Sequence, residues 1–384
     1  MGLLKNVWKI ASVFAAILIP ILIYVFLWEW KTQESQQPIT FQEHDLSDHP
    51  LYSNYVFGDS SDVIDVGMQP MWLPTSIITE VMQRDLLLKN GLSGLGKEIR
   101  FHSFLKGADV NYFLGKGDLE IGIGGDMPAI IASATFEVMI ISMMQKGFVS
   151  IVSDKYQMMK DLRGKRIGYP YGSIAHYALL RALSADGLSE EDVNMIPYEV
   201  HQLPDAMKHG EIHVFSAWEP TPTAALDRFN DFVAIHKSLS TGYMYCSADF
   251  ANGYPELLRE ILASQIRSLV WLSKDLKNLL RASTWAKRSA ETFGNVNTVL
   301  TSKQYADIAS QDLLGLSISP NIPRRDLAEG GRVYEEFLFL KNIGKIPEYV
   351  KWEKVKNSFN LEIIDEILSN SDGYRIYNYD VKYD

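Results

Sequence analysis

The segment GYPYGSIAHYALLRAL, Gly168 to Leu183, carries two side chains that could contact a small ligand. It reads as the end of a strand, a glycine turn and a helix. Gly172 permits close backbone approach, and Ser173 stands at the helix start, where free N–H groups and the helix dipole favour an anion. His176 follows one turn later and would titrate near neutral pH. The pattern predicts either an anion site at Ser173 or an ordinary serine helix cap.

Three other segments, MQPMW, GGDMPA and AWEPTPT, also follow predicted strands. Asp126 either caps the next helix or accepts a hydrogen bond from a ligand. Each tryptophan either packs in the core or forms a wall of a mainly apolar pocket. The candidate ligand contacts in these loops are Gln69, Trp72, Gly125, Asp126, Met127, Trp218 and Glu219.

Alternating strands and helices would position these loops. VIDVGMQ is a short apolar run typical of a buried strand, and PTSIITEVMQRDLLLKNG is an amphipathic helix with a proline near its start and a glycine at its end. The alternation continues to IHVFSAW, and Pro255 to Phe293 is almost wholly helical. This order predicts parallel sheets covered by helices. Because open parallel sheets bind ligands at the carboxyl ends of their strands, the four loops should converge.

Composition limits the classes of function. The 384 residues, 47% of them apolar and 22% charged, are enough for two domains or lobes with cores of their own. The formal charge of -10 argues against a nucleic-acid partner, since phosphate binding needs clustered Lys and Arg. A single cysteine, Cys246, excludes an internal disulfide framework and a cysteine-rich metal site. We therefore expect no cofactor and no metal.

The N-terminus predicts a membrane anchor. Residues Ile10 to Trp28 contain no charge over nineteen positions, and Lys5 and Lys9 precede them. A run of about 20 apolar residues spans a bilayer, and the preceding lysines place the N-terminus in the cytoplasm. A cleaved signal peptide is the alternative, but LWEWKTQESQQ offers no small-residue cleavage site. The main domain would then be periplasmic or extracellular, tethered to the cytoplasmic membrane by one helix.

Three segments together resemble the periplasmic solute-binding proteins of ABC importers for sulfonates, taurine, nitrate and bicarbonate, and for thiamine pyrimidine precursors. They are GKGDLEIGIGGDMPAIIASA, DLRGKRIGYPYGSIAHYALLRALSADGLSEEDV and AMKHGEIHVFSAWEPTPTAAL. The likeness covers roughly residues 60 to 370 and implies a two-lobed α/β fold of periplasmic-binding-protein type II. It also implies that the candidate contacts line a cleft between the lobes. The cleft segments lack an arginine that would clamp a sulfonate bidentately.

The fold class predicted is α/β with two lobes, a sheet in each lobe, and two hinge crossings near Ser150 to Lys155 and Ser238 to Ser247. One transmembrane helix should precede them. The predicted organisation is an anchor at 1–31, a linker at 32–62, lobe 1 at 63–150, lobe 2 at 151–242, the return of lobe 1 with C-terminal helices at 243–370, and a surface tail at 371–384.

Three functions are weighed. The resemblance favours a membrane-tethered solute-binding protein that captures a small anionic solute for an ABC importer. The alternative is a binding-protein fold reused as a sensor or structural subunit of a membrane complex. An enzyme is not expected, because no nucleophile–base pair has a recognisable context and one cysteine cannot supply an iron site. In both non-enzymatic cases the expected partner is a multi-spanning membrane protein, such as the ABC permease.

Overall fold

The computed structural model describes residues 45–58, 62–312 and 320–382. The predicted anchor at 1–31 and part of the predicted linker lie outside the described residues. Among the residues that are described, no helix is both long enough and apolar enough to cross a membrane.

The strands of the described chain are short in both halves, apart from two long ones that run between the halves. They are β1 Val63–Met68, β2 Glu98–Ser103, β3 Ile121–Gly125, β4 Val138–Ser153, β5 Arg166–Tyr169, β6 Asn194–Pro197, β7 Val214–Trp218 and β8 Val233–Ser247. They form one mixed sheet in the order β2-β1-β3-β8-β4-β7-β5-β6. We call β1–β3, their helices and the C-terminal helices lobe 1, and β5–β7 with their helices lobe 2.

The two crossings between the lobes are the strands β4 and β8 themselves. They pair in antiparallel fashion from Val138↔Ser247 to Ser153↔Val233. One part of β8 also pairs with β3, and the end of β4 pairs with β7 from Val149 onward. The prediction of a separate sheet in each lobe is therefore wrong, because both crossings are extended and hydrogen-bonded along their whole length. The first crossing also lies earlier than Ser150, since β4 has already joined lobe 2 at that point.

Helices cover both faces of the sheet and form a layer on lobe 1 near the C-terminus. They are α1 Thr75–Arg84, α2 Leu86–Gly94, α3 Gly107–Lys116, α4 Asp126–Thr135, α5 Ile174–Ala185, α6 Leu203–Lys208, α7 Thr221–Arg228, α8 Ala248–Gly253, α9 Pro255–Lys274, α10 Leu276–Gly294, α11 Ser302–Asp312, α12 Arg332–Asn342, α13 Trp352–Asn357 and α14 Ile363–Ser369. The parallel strands of each lobe end at the loops predicted to carry the site, which therefore face one another across β4 and β8.

The C-terminal residues are not the free surface tail that the sequence predicts. The backbone N–H of Leu86 donates to the carbonyl of Asp380 at 2.9 Å, and Lys382 N donates to the carbonyl of Arg84 at 3.0 Å. Tyr379 also packs its ring against Trp271, with centroids 5.3 Å apart. The reason is that this segment has aromatic and aliphatic side chains to bury and lobe 1 offers the surface that covers them.

Residues 45–58, assigned to the linker from their polar composition, also pack on lobe 1. The Tyr52 hydroxyl donates to Asp109 Oδ2 at 2.7 Å and accepts from the backbone N–H of Leu105 at 2.9 Å. Its ring lies in an aromatic cluster with Phe104 and Phe113. The linker prediction is therefore wrong for this segment, because a few aromatic side chains are enough to dock an otherwise polar stretch.

Candidate ligand-binding site

Ser173 is a helix cap in the structure. Its Oγ accepts a hydrogen bond from the backbone N–H of His176 at 3.2 Å and donates one to the carbonyl of Pro170 at 2.6 Å. The side chain is buried. The hydroxyl thus donates and accepts within the chain, which caps the start of α5.

His176 is fully buried beside Ser173. Its Nδ1 accepts from the backbone N–H of Gly172 at 3.2 Å, which places the ring proton on Nε2. That Nε2 has no hydrogen-bond partner within the described chain. Burial lowers the pKa of His176 to about 3, so the ring is neutral at physiological pH rather than titrating near it as predicted.

Gly125 and Gly172 let the two lobes touch. A Cβ added at Gly125 would lie 2.7 Å from the Cβ of Ile174, at the start of α5. Gly172 has a φ of +67°, and a Cβ there would lie 2.7 Å from the Cβ of Ala108 in α3. No larger residue fits either position without moving its neighbour. These glycines therefore form contacts between the lobes, which fill the space predicted to hold the ligand.

Both carboxylate oxygens of Asp126, the first residue of α4, accept hydrogen bonds from the backbone. Its Oδ1 accepts from the backbone N–H of Met127 at 3.0 Å, and its Oδ2 accepts from the N–H of Thr241 at 3.2 Å. The guanidinium of Arg332 lies 3.9 Å from the same Oδ2. Burial raises the pKa of Asp126, and Arg332 opposes that rise. The carboxylate thus ties α4 to β8 and to the start of α12.

The loop after β1, which carries Trp72, and the loop after β7, which begins at Trp218, contact each other, as predicted. Trp218 Nε1 donates to the carbonyl of Met71 at 2.9 Å, and the backbone N–H of Leu73 donates to the carbonyl of Glu219 at 2.9 Å. The Glu219 side chain is buried, and its pKa is raised by that burial. These bonds join the end of β1 in lobe 1 to the end of β7 in lobe 2.

Trp72 packs against the middle of the crossing strands. A Cβ at Gly242 would lie 2.7 Å from the Trp72 ring and 3.3 Å from Cγ of Gln145. Gln145 on β4 is the register partner of Gly242 on β8. Gln69, another predicted contact, instead donates from Nε2 to the carbonyl of Ile123 at 2.9 Å and holds β1 against β3.

Buried polar atoms on the crossing strands and at the start of α1, the helix that follows Trp72, have no hydrogen-bond partner in the described chain. Both amide atoms of Gln145 and Oγ1 of Thr241 belong to them, and so do Oγ1 of Thr75 and Oγ of Ser76 at the start of α1. All four residues are buried. Leaving a buried polar group unpaired costs about 1–3 kcal/mol, so each of these atoms calls for an explanation. A polar ligand between the lobes would provide the missing hydrogen bonds.

Sequence reasoning missed these four residues. Gln145 interrupts the apolar run VMIISMMQKGFVSIVS, and a polar residue inside a buried strand is a usable signal. Thr75 and Ser76 follow Pro74 at a helix start, so they could have been found by the argument that was applied to Ser173. Thr241 carries no comparable signal of its own.

Two cations near the interface, the half-buried Arg332 and the buried Lys106, form ion pairs within the chain. Arg332 donates to Glu336 at 2.7 Å and to the Tyr243 hydroxyl. Lys106 donates to Glu199 of lobe 2 at 2.7 Å and lies 3.5 Å from Asp109. Lys106 is fully engaged by these carboxylates, whereas Nε of Arg332 has no hydrogen-bond partner in the described chain and lies 3.6 Å from Oδ2 of Asp326. Within residues 45–58, 62–312 and 320–382, no group of three or more His, Cys, Asp or Glu is placed to hold a metal ion.

Sequence comparison relates this chain to known families and proteins. Residues 136–274 match the family described as NMT1/THI5 like, a stretch that includes both crossing strands and the loops of Ser173 and Trp218. The chain is 25% identical over 229 residues to the taurine-binding periplasmic protein of Escherichia coli (strain K12), a match that covers 54% of this chain and 71% of that protein. The resemblance to periplasmic solute-binding proteins is confirmed. A putative aliphatic sulfonates-binding protein of the same organism is 27% identical over 135 residues, 34% of this chain and 42% of that one.

Solved structures agree on the fold. The alkanesulfonate-binding protein SsuA from Xanthomonas axonopodis pv. citri bound to MOPS aligns with a TM-score of 0.58 at 16% identity, over 79% of this chain and 99% of that one. The periplasmic aliphatic sulphonate binding protein SsuA from Escherichia coli aligns with a TM-score of 0.56 at 16% identity, over 77% of this chain and 92% of that one. The desulfurization enzyme DSZB aligns with a TM-score of 0.51 at 13% identity, over 80% of this chain and 99% of that one. The α/β periplasmic-binding-protein-like fold is thus confirmed, although its sheet is mixed and not parallel as predicted. The fold alone does not separate binding proteins from enzymes.

Proposed function

We propose that this chain is an extracytoplasmic solute-binding protein that captures a small sulfonate-class anion and delivers it to an ABC importer. The observation that carries the proposal is the group of unpaired buried polar atoms of Gln145, Thr241, Thr75 and Ser76. These residues lie on the two crossing strands and at the start of α1, in a chain similar to taurine- and sulfonate-binding proteins.

Hydrogen bonds rather than a salt bridge would hold the anion. A sulfonate presents three acceptor oxygens, and the four side chains offer an amide and three hydroxyls as donors. Thr75 and Ser76 stand at the N-terminus of the ten-residue helix α1, where the dipole favours negative charge. Trp72 and Trp218 would contact the apolar part of the solute, and closure of the lobes would bury it.

Delivery would take place beside the membrane. The predicted anchor at 1–31 keeps the domain close to its permease, and a short tether raises the effective concentration of the two to about the millimolar range. Protease added to intact spheroplasts should digest the chain beyond Lys31. Protection of that part would contradict the predicted orientation.

One observation favours a second function. The lobes are closed by the chain's own groups, with Gly125 against Ile174 and Lys106 paired with Glu199. A binding-protein fold reused as a sensor or structural subunit of a membrane complex would need only such contacts. The unpaired polar atoms favour the solute-binding function instead, since a purely structural interface gains nothing from leaving them unpaired.

Native mass spectrometry of the full-length protein, purified in mild detergent, distinguishes the two. A solute-binding protein should retain an organosulfonate mass after purification, or take one up from an added mixture. A chain that neither retains nor takes up any small solute, and that always purifies with the same membrane subunits, would support the structural function.

A further inference from the structure

A cavity of 160 Å³ lies between lobe 2 and the helical layer of lobe 1. Helices α6 and α7 form one side, and the end of α10, the loop after it and α11 form the other. Met71 and Pro220, from the two loops that carry the tryptophans, also line it. Gln145, Thr241 and Trp72 are not among the residues that line it, so it is distinct from the proposed solute site.

The charged groups at this cavity are paired within the chain. Arg228 forms an ion pair with Asp205 at 2.9 Å. Glu291 accepts from the backbone N–H of Thr298 at 3.1 Å and pairs with Lys287. Because these charges are already paired, the part of the lining that the structure describes offers an ionic ligand no unpaired charged side chain to bind. The cavity is therefore suited to an uncharged molecule.

His201 supplies a polar group that the chain does not satisfy. It lines the cavity, and its Nδ1 is buried without a hydrogen-bond partner in the described chain. Burial lowers the pKa of His201, which keeps the ring neutral. Around it the walls are largely apolar, with Ala225, Val296 and Pro204 among them. One hydrogen-bonding group on an otherwise apolar body would match this surface.

We propose that this cavity binds a small neutral amphiphile, whose hydroxyl or amide hydrogen-bonds to His201 and whose hydrocarbon body packs against Ala225 and Val296. Its size sets the class of ligand, because a cavity of roughly 150 Å³ admits a six-carbon ring. An occupant would contact both lobe 2 and the helical layer, and would therefore oppose their separation.

Cyclohexanol is the probe of choice, titrated into the full-length protein and followed by saturation-transfer NMR. His201→Phe keeps the size of the ring but removes both nitrogens, so it should weaken cyclohexanol binding about threefold to tenfold, the range for one neutral hydrogen bond. Ala225→Leu fills the cavity and should abolish binding. His209→Phe changes an exposed histidine outside the cavity and is the matched control, which should bind as the wild type does.

Charge is tested with cyclohexanecarboxylate, which should bind at least tenfold more weakly than cyclohexanol. The proposal is overturned if the wild type does not bind cyclohexanol, if His201→Phe or Ala225→Leu binds it unchanged, or if the carboxylate binds more tightly. None of these outcomes depends on the sulfonate solute.

Discussion

At the scale of single residues, the proposed site depends on side chains whose hydrogen-bonding capacity the protein leaves unused. Gln145 is fully buried in β4, yet neither its amide oxygen nor its nitrogen has a partner in the described chain. Ser173 is the opposite case, since its hydroxyl is fully used in capping α5. The hydroxyl that the sequence pattern marks most strongly as a ligand contact is thus already used by the chain, whereas the Gln145 amide is not.

This contrast makes a prediction about affinity. Gln145→Met keeps the length of the side chain but removes its amide, so it should weaken sulfonate binding about tenfold or more, because hydrogen bonds to charged groups contribute about 1.5–3 kcal/mol. Ser173→Ala should leave affinity nearly unchanged and lower stability by about 1 kcal/mol, the usual loss for a helix cap. Calorimetric titration and urea unfolding of both variants would measure these effects. A larger loss of affinity in Ser173→Ala than in Gln145→Met would contradict the placement.

The burial of His176 predicts how the stability of the protein depends on pH. Burial lowers its pKa to about 3 in the folded protein, whereas an unfolded histidine takes up its proton below about 6.5. Between these values the unfolded state binds the extra proton, so stability falls as the pH falls. From pH 7 to 5 this residue should cost about 2 kcal/mol, because the full slope of about 1.4 kcal/mol per pH unit is reached only below about pH 6.

Replacing the histidine should remove that component. Urea unfolding of His176→Gln at pH 7 and pH 5 should show a smaller loss of stability than the wild type shows. His209→Gln, at an exposed position, serves as the control and should lose as much as the wild type. An identical pH dependence in His176→Gln and the wild type would contradict the argument.

At the scale of elements, the strand–helix alternation and the loops at strand ends were predictable, because short apolar runs and capped amphipathic helices are local signals. The continuous sheet was not. That β4 and β8 pair along their whole length depends on which strands lie beside them, and nothing local to SIVSDK or SLSTGYMYCS encodes the partner. For the same reason the sequence pattern indicates a site at Ser173 and not at Gln145, because the environment of Gln145 is created by Trp72 and Gly242.

The ion pair between Lys106 and Glu199 links elements of the two lobes directly. Lys106, before α3, donates to Glu199, which follows β6, at 2.7 Å. Glu199→Gln removes the charge attraction but leaves the pair of Lys106 with Asp109 intact. It should shift some molecules toward open lobes and weaken solute binding about twofold to fivefold, as for a pair worth about 0.5–1 kcal/mol.

Small-angle scattering and calorimetry would follow both effects. Asp231→Asn is the matched control, because it removes a comparable ion pair, with Lys208, that lies wholly within lobe 2. Equal changes in the two variants would show that the pair between the lobes has no particular role in closure.

At the scale of the whole molecule, both ends of the described chain belong to the folded body. Residues 45–58 pack on lobe 1 through Tyr52, and the C-terminal segment packs on it through Tyr379. The segment nearest to the predicted anchor therefore contacts Asp109, which in turn lies beside the Lys106–Glu199 pair. The ion pair that helps to close the lobes and the segment that leads to the predicted anchor would therefore lie on the same side of the molecule.

Calorimetric titration of the full-length protein with taurine, ethanesulfonate and butanesulfonate tests the central claim most directly, with nitrate and bicarbonate as comparison anions. We predict saturable binding of at least one sulfonate, stronger than that of either comparison anion. Because hydrogen bonds and not a salt bridge hold the solute, its affinity should change little between low and high salt. Absence of binding by every sulfonate, or tighter binding of nitrate or bicarbonate, would contradict the account.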